Sequence, residues 1–247
     1  MNKIVKSLFK RKSVRAYADK AISQKRKDII YGAMLQAPTA GNMCLYTIID
    51  VVDQDIKNTL SVTCDNQPFI AKAPMVSVLC ADYRRWFDIF TKYCEDVRLP
   101  KEGDLMLAIS DTIIAAQNGV VAAESLGISS CYIGDIIENY ETHKELLGLP
   151  KYVVPVCMLC FGYPTKQQAK RNKPLRFSIR HIVHQDRYNM DKCNLMEQIL
   201  QQREGYENKD GFDQWIVRFC NRKWNSDFSI EMSRSARAII DDWCKED

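Results

Sequence analysis

Two arginines and a serine, close together near the start of the sequence, could bind a phosphate group. The segment reads Arg11-Lys12-Ser13-Val14-Arg15 and follows a short apolar pattern that predicts a helix. Guanidinium groups form charge-assisted, often bidentate hydrogen bonds with phosphate oxygens, and a hydroxyl adds a further donor. The segment therefore predicts a site for a phosphorylated ligand. A solvated basic surface would explain the same residues, because short motifs often occur by chance.

A turn at residues 37–42 has a composition that lets a ligand come close to its backbone. It reads A-P-T-A-G-N and includes Ala40 and Asn42. Small residues let the backbone come close to a ligand, and an asparagine amide can both donate and accept hydrogen bonds. The turn is a candidate binding element, although proline, glycine and asparagine are also the usual residues of an ordinary turn after a helix.

Ten cysteines raise the question of disulfides or a metal site. Cys157 and Cys160 form a CxxC motif, but it lies in a predicted strand over residues 153–161, where alternate side chains face opposite sides. The two thiols therefore diverge, and no second CxxC completes a zinc site. We expect reduced, mostly buried thiols, which act as small hydrophobic residues. Five of them lie in apolar, strand-like runs: Cys44, Cys80, Cys131, Cys157 and Cys160.

The composition is that of an ordinary globular protein, with 46% hydrophobic and 27% charged residues and a net charge of +4. Basic residues cluster in residues 1–27 and 166–180. Such clusters suit nucleic acid or a phosphorylated ligand, and often they are only solvated surface. The sequence has no helix-turn-helix or zinc-finger signature. A nucleic-acid-binding regulator is therefore the weaker alternative, and we expect no nucleic-acid partner.

Residues 105–126 are the most hydrophobic stretch of the sequence. Four polar residues interrupt it, so it does not predict a membrane-spanning segment. The basic N-terminus is followed by no apolar run, so it does not resemble a secretory signal. We expect a cytoplasmic protein without a membrane partner. The interrupting residues are Asp111, Gln117, Asn118 and Glu124.

Hydrophobic periodicity indicates the elements that would position these residues. Asn2 and Ser23 are candidate caps for two helices, the second ending at Pro38, and Gly127 closes a long central helix over residues 105–126. The mixture of strands and helices predicts a three-layer α+β core. Strands are predicted at 45–52, 75–81, 130–133 and 153–161, and a short helix at 141–147.

Beyond Pro164 the sequence becomes polar and basic. Residues 165–187 predict an extended connector, and three amphipathic helices are predicted at 195–202, 212–221 and 230–243. The tail contains enough aromatic bulk to pack against another surface: Trp215, Phe219, Trp224, Phe228 and Trp243.

Four segments, in the same order and at compatible spacing, resemble the FMN-dependent nitroreductase family. Residues 11–17 are similar to its R-x-S-x-R-x-[FY] motif, and residues 37–42 to A-P-[ST]-x-x-N. Residues 122–134 resemble A-A-x-x-L-G-[LI]-G-x-x-[WY]-I-G, with Ser129 in place of a glycine. Residues 148–164 resemble G-L-P…V-P…[LF]-G-Y-P. The resemblance covers about the whole chain and is strongest to the longer, NADPH-preferring branch.

The resemblance implies an α+β sandwich around a mostly antiparallel sheet, assembled as an intertwined homodimer. It implies one domain over residues 1–247, with a core at 1–164. Residues 165–247 would form a basic connector and a helical extension that wraps the partner subunit. FMN would lie at the dimer interface and contact both chains.

The resemblance also implies which residues bind FMN. Gln67 matches a glutamine that faces the edge of the ring in the longer branch. The family's K-P-R motif reads Lys173-Pro174-Leu175-Arg176 here, so Lys173 and Arg176 are expected at the phosphate, with Arg171 as the alternative. The full predicted set is Arg11, Lys12, Ser13, Arg15, Ala40, Asn42, Gln67, Tyr132, Ile133, Gly134, Lys173 and Arg176.

The implied activity is electron transfer from NAD(P)H to nitro compounds, quinones or free flavin by a ping-pong mechanism. FMN carries the chemistry, so no catalytic side chain and no metal is expected. His143, His181 and His184 lie in no motif and are interpreted as structural or surface residues. Alternative reactions on the same fold are enoate reduction and dehalogenation.

Overall fold

Four strands form one sheet in the computed structural model, which describes residues 1–246 apart from the side chain of Cys193. Their order is β1-β2-β4-β3, and all three pairings are antiparallel. Every residue of β2 and β4 is buried, so these strands form the centre and β1 and β3 the edges. The strands are β1 (Tyr46–Val51), β2 (Met75–Asp82), β3 (Ser129–Ile133) and β4 (Val153–Gly162).

Helices cover both faces of the sheet. On one face, α2 and α5 pack together and against the strands. On the other, α3 and residues 135–149 bury a second apolar cluster. These layers confirm the expected α+β architecture. In chain order the helices are α1 (Lys3–Lys10), α2 (Gln24–Met34), α3 (Gln54–Thr63), α4 (Arg84–Tyr93), α5 (Glu102–Ser125), α6 (Tyr140–Leu146), α7 (Lys166–Lys170), α8 (Ile179–Ile182), α9 (Met190–Asn194), α10 (Met196–Glu204), α11 (Lys209–Lys223) and α12 (Asp227–Cys244).

The CxxC motif lies in β4, as expected. Cys157 belongs to the apolar cluster on the α5 side of the sheet, and Cys160 belongs to the cluster on the α3 side. Strand alternation accounts for this separation. The prediction that the two thiols diverge is confirmed.

The central helix α5 begins with a capping box, in which the carboxylate of Asp104 accepts from the backbone N–H of Lys101. It ends before Gly127, whose φ of 71° suits glycine. Gly119 allows α2 to approach closely, because a Cβ there would lie 2.2 Å from the side chain of Met34. By length and composition α5 could cross a membrane, but this is weak evidence, since core helices of soluble proteins pass the same test.

The chain divides into two compact units. The first consists of residues 1–171 together with the segment that begins at Glu231, and the second consists of residues 172–230. The predicted single domain, with a core at 1–164 and an extension at 165–247, stays a prediction. Trp243 in α12, expected to pack on a partner subunit, is instead fully buried in its own chain, against Tyr152.

Three details of the sequence-based prediction are wrong. Helix α2 ends at Met34 and does not continue to Pro38. The connector is not uniformly extended, because α7 and α8 lie within residues 165–187. Helix α4 was not predicted. The cap at Asn2 is confirmed, since its side chain accepts from the backbone N–H of Val5 at 3.0 Å.

Candidate functional site

The N-terminal basic segment lies along the β3 edge of the sheet. After α1 the chain becomes extended, and the backbone N–H of Val14 donates to the carbonyl of Ser130 in β3 at 3.0 Å. Tyr17 forms a bridge with Pro164, and its hydroxyl donates to the carbonyl of Cys160 at 3.1 Å. Contacts of Val14 and Tyr17 thus fix the segment without using the side chains of Arg11 and Arg15.

Positive charge and unused donors converge in this segment. Nη1 of Arg11 is buried and has no hydrogen-bond partner. Arg15 is exposed and makes no ion pair or hydrogen bond with any part of residues 1–246. Burial raises the pKa of the Cys131 thiol in β3, while Arg15, a hydrogen bond from Ser13, and Arg11 oppose that shift. All three predicted phosphate ligands therefore lie close to Cys131.

The end of α7 is tied to the same segment. Nζ of Lys12 donates to the carbonyl of Ala169 at 2.9 Å and to the carbonyl of Arg171. Nη2 of Arg171 donates to the carbonyl of Ser13. Arg171, only an alternative in the sequence analysis, is therefore at the candidate site. Lys12 has backbone acceptors there, so its expected role as a cofactor ligand stays a prediction.

The two other predicted phosphate ligands, Lys173 and Arg176, belong to the second compact unit. Their assignment also stays a prediction. The inserted Leu175 that made this motif ambiguous is exposed.

The end of β3 lies beside the basic segment. Tyr132 faces α5, where its hydroxyl donates to Oε1 of Gln117 at 3.4 Å. Burial raises the pKa of Tyr132, and the positive charge of Arg11 counteracts part of that increase. Ile133 is buried on the opposite face. Gly134 is exposed, and a Cβ built on it would meet no atom within 4 Å. The backbone at Gly134 is therefore open to a ligand.

Gln67 lies in a turn on the same side of the sheet as Ile133. Nε2 of its amide donates to the carbonyl of Cys64 at 3.0 Å, which fixes the side chain. Its Oε1 has no protein partner within residues 1–246. The pKa of the Cys64 thiol is raised by burial and then by the carboxylate of Asp135, the residue after Gly134. Cys64, Ile133 and Ile136 also belong to one apolar cluster, so the Gln67 turn and the end of β3 are neighbours.

The turn with Ala40 and Asn42 lies elsewhere, before β1 at the opposite edge of the sheet. Adjacent strands lie about 4.8 Å apart, so three spacings separate the two edges by about 14 Å. Within the described residues, the turn makes no hydrogen bond to the basic segment or to the end of β3. Its contacts go instead to Asp111 of α5, which the sequence analysis had interpreted only as a polar interruption.

Two further groups bear on the chemistry of this unit. His143 is fully buried, with its ring nitrogens 2.7 Å from the Thr63 hydroxyl and 2.9 Å from the Ile136 carbonyl. Burial lowers its pKa, which agrees with a structural role. Glu138, not singled out from sequence, is 5% exposed, and its Oε1 has no partner. No group of three or more His, Cys, Asp or Glu residues could hold a metal ion, as far as the described residues show.

Comparisons with known proteins identify the family of this chain. A profile of the nitroreductase family matches residues 8–163. An FMN reductase [NAD(P)H] of Bacillus subtilis (strain 168) is 31% identical over 238 residues, which cover 95% of this chain and 90% of that protein. An oxygen-insensitive NADPH nitroreductase of Salmonella typhimurium is 31% identical over 76% of this chain and 75% of its own length.

A solved structure, NfrA1 of B. megaterium, superposes with a TM-score of 0.81 at 26% identity, covering 96% of this chain and 98% of that one. The match extends through the C-terminal helices as well as the sheet. The chain therefore belongs to the nitroreductase family.

Proposed function

We propose that the chain is an FMN-dependent oxidoreductase that transfers electrons from NAD(P)H to nitro compounds, quinones or free flavin. Support comes from relatives named as an FMN reductase [NAD(P)H] and an NADPH nitroreductase, each 31% identical. The observation that carries the proposal is the buried, unpartnered Nη1 of Arg11 beside the uncommitted guanidinium of Arg15.

These residues fit FMN. A buried guanidinium N–H without an acceptor is costly, and a phosphate dianion would supply that acceptor. Arg11, Ser13, Arg15 and Arg171 would hold the phosphate. The open backbone at Gly134 leaves room for a flat ring, and the free Oε1 of Gln67 can accept from a polar ring edge.

Bound FMN would supply the redox chemistry, taking up two electrons from NAD(P)H and releasing them to the acceptor in separate half-reactions. The chain's own residues would bind and orient. Fixed positive charge from Arg11 and Arg15 would stabilise negative charge that develops at the site, without reorganisation at the moment of reaction. No side chain is assigned a catalytic role. Reduction of an enoate or a halogenated compound is the alternative reaction.

We further propose that the active form is a homodimer. The Ala40–Asn42 turn and the Arg15 segment lie at opposite edges of the sheet, which favours a site that takes the turn from a second copy. Large apolar side chains exposed on one helix also suit a subunit interface. On α5 these are Met106, Leu107, Ile113 and Ile114.

The test is to compare FMN binding by the wild type and Arg15→Ala. A charged hydrogen-bond partner contributes about 1.5–3 kcal/mol, so the variant should bind FMN roughly 10- to 150-fold more weakly while remaining folded. Lys25→Ala is the matched control, since it removes another exposed positive charge from the same basic region. Quenching of flavin fluorescence gives the affinity of each of the three proteins.

A wild-type protein that binds no flavin, or that binds it but is not reduced by NADH or NADPH, would contradict the proposed function. Equal affinities of wild type and Arg15→Ala would contradict the role of Arg15 alone.

A further inference from the structure

Asp111 is a buried carboxyl group in the interior of α5. It is 3% exposed, and among the described residues no cation forms an ion pair with it. Its oxygens accept from the backbone N–H of Ala40 at 3.2 Å and of Leu45 at 3.4 Å, and from the hydroxyl of Thr39. A buried carboxyl is costly without such donors. All three donors belong to the turn before β1.

That turn has an unusual backbone. Gly41, Asn42 and Cys44 have φ values of 56°, 58° and 50°, in the left-handed region that costs non-glycine residues free energy. Such a conformation persists only where the surroundings impose it. Here the Thr39 hydroxyl, itself bonded to Asp111, accepts from the N–H of Cys44 at 2.8 Å. Asp111 therefore imposes the conformation directly and through Thr39.

The turn presents its free groups away from Asp111. Asn42 is exposed, and its amide makes no hydrogen bond within the described residues. The carbonyl of the following Met43 is held from inside by Nε1 of Trp86, at 2.7 Å. The inward groups are thus satisfied by the core, and the outward amide remains for a ligand.

A second buried aspartate on the same helix, Asp104, has a different role from Asp111. Asp104 accepts from the N–H of Lys101 at 2.9 Å and pairs with Arg98, so it caps its own helix. Asp111 forms no cap in α5. It accepts a hydrogen bond from Thr39, which lies 72 residues away in sequence.

We propose that Asp111 is a positioning residue that pre-forms the Ala40–Asn42 turn, so that one copy of the chain presents this turn to the flavin bound by the other. The inference rests on the proposed FMN site and dimer. It adds the element that fixes the conformation of the turn before the cofactor binds.

Asp111→Asn tests the proposal. The amide keeps the size of the side chain but places N–H groups opposite one or more donors, so the turn should lose its fixed conformation. We expect FMN to bind roughly tenfold more weakly, with a changed visible circular dichroism spectrum of the flavin that remains. Asp104→Asn is the control. It should lower the melting temperature, yet leave flavin affinity and the visible spectrum unchanged.

A milder pair of variants separates positioning from folding. Thr39→Val removes the hydroxyl that links Asp111 to Cys44, and Thr39→Ser keeps it. Thr39→Val should reproduce the weaker binding and the altered spectrum, and Thr39→Ser should restore both. Wild-type flavin affinity in Thr39→Val and Asp111→Asn would overturn the inference and leave the proposed function intact.

Mixed dimers test whether the turn acts on the partner's flavin. In a dimer of one Asp111→Asn and one Arg15→Ala subunit, a shared site leaves one flavin position with both elements intact. Such a heterodimer should bind one FMN at wild-type affinity, which neither homodimer does. If it binds none at that affinity, the turn does not act across the interface. A wild-type protein without flavin would overturn both proposals.

Discussion

Glu138 should make the protein less stable as the pH rises through neutrality. Its carboxyl is buried next to Gly134's turn, and one oxygen lacks a partner. Burial, followed by the negative charges of Asp135, Asp65 and Glu231, raises its pKa from 4.5 to about 7. A pKa that is higher in the folded state favours folding at low pH, and that contribution is lost as the pH rises from about 4.5 to above 7.

The magnitude follows from the size of the shift. Each pH unit of difference corresponds to about 1.36 kcal/mol, so the native state loses up to about 3 kcal/mol of stability above neutral pH. Glu138→Gln removes this charge without changing the size of the side chain. The variant should therefore be more stable than the wild type by about 1–3 kcal/mol at pH 8, and by less than about 1 kcal/mol at pH 5.

Urea unfolding at pH 5 and pH 8, followed by circular dichroism, gives the free energies of unfolding for both proteins. Glu141→Gln is a control of opposite sign, because Arg234 lowers the pKa of the exposed Glu141. At pH 8 the free energy of unfolding of that variant should be lower than that of the wild type by about a few tenths of a kcal/mol. If Glu138→Gln differs from the wild type equally at both pH values, the carboxyl does not titrate as argued.

Three further predictions concern the cofactor, the interface and the core. Gln67→Leu should shift the flavin reduction potential by about 30 mV, since 1.4 kcal/mol of differential stabilisation corresponds to that value for a two-electron couple. Equal potentials in a potentiometric titration would remove Gln67 from the site. Ile114→Glu should convert the dimer into a monomer, measured by light scattering, with a reduced flavin content, measured by absorbance. A wild-type protein that is a monomer with full flavin content would refute the interface. Gly119→Ala should lower stability by about 1–3 kcal/mol, because its Cβ would overlap Met34, whereas Gly103→Ala, with open space, should not.

Much of the sheet could be predicted from local pattern alone. Strands β2 and β4 and helix α5 are long apolar runs. Such runs can be recognised in a sequence without knowledge of the tertiary contacts. Helix α4 was missed, although Trp86 and Phe90 have helical spacing, because it starts directly after β2 and its N-cap residue, Tyr83, makes no capping bond. An expected cap at Ser23 occupies the N-cap position without forming a side-chain hydrogen bond.

The candidate site can be proposed from the sequence only where the residue type indicates the chemistry. Arg11, Ser13 and Arg15 are recognisable because few residues bind phosphate well. Asp111 was not, since its partner Thr39 lies 72 residues away along the chain. Arg171, whose partner Ser13 lies 158 residues away, was predicted only as an alternative. A carboxyl in a hydrophobic helix has many structural explanations, and only its neighbours in three dimensions identify its role.

The placement of α12 has a consequence for biosynthesis. The first unit needs Trp243 against Tyr152, and Asp242 to accept from the hydroxyl of Tyr140 at 2.6 Å, yet residues 172–230 are synthesised before α12 is complete. At about 5–20 residues per second, the ribosome leaves the earlier part of this core without its closing helix for several seconds. During that interval the apolar surface that α12 covers in the folded chain is exposed and can form non-native contacts. Nascent chains of this protein should therefore depend on chaperones until α12 has emerged.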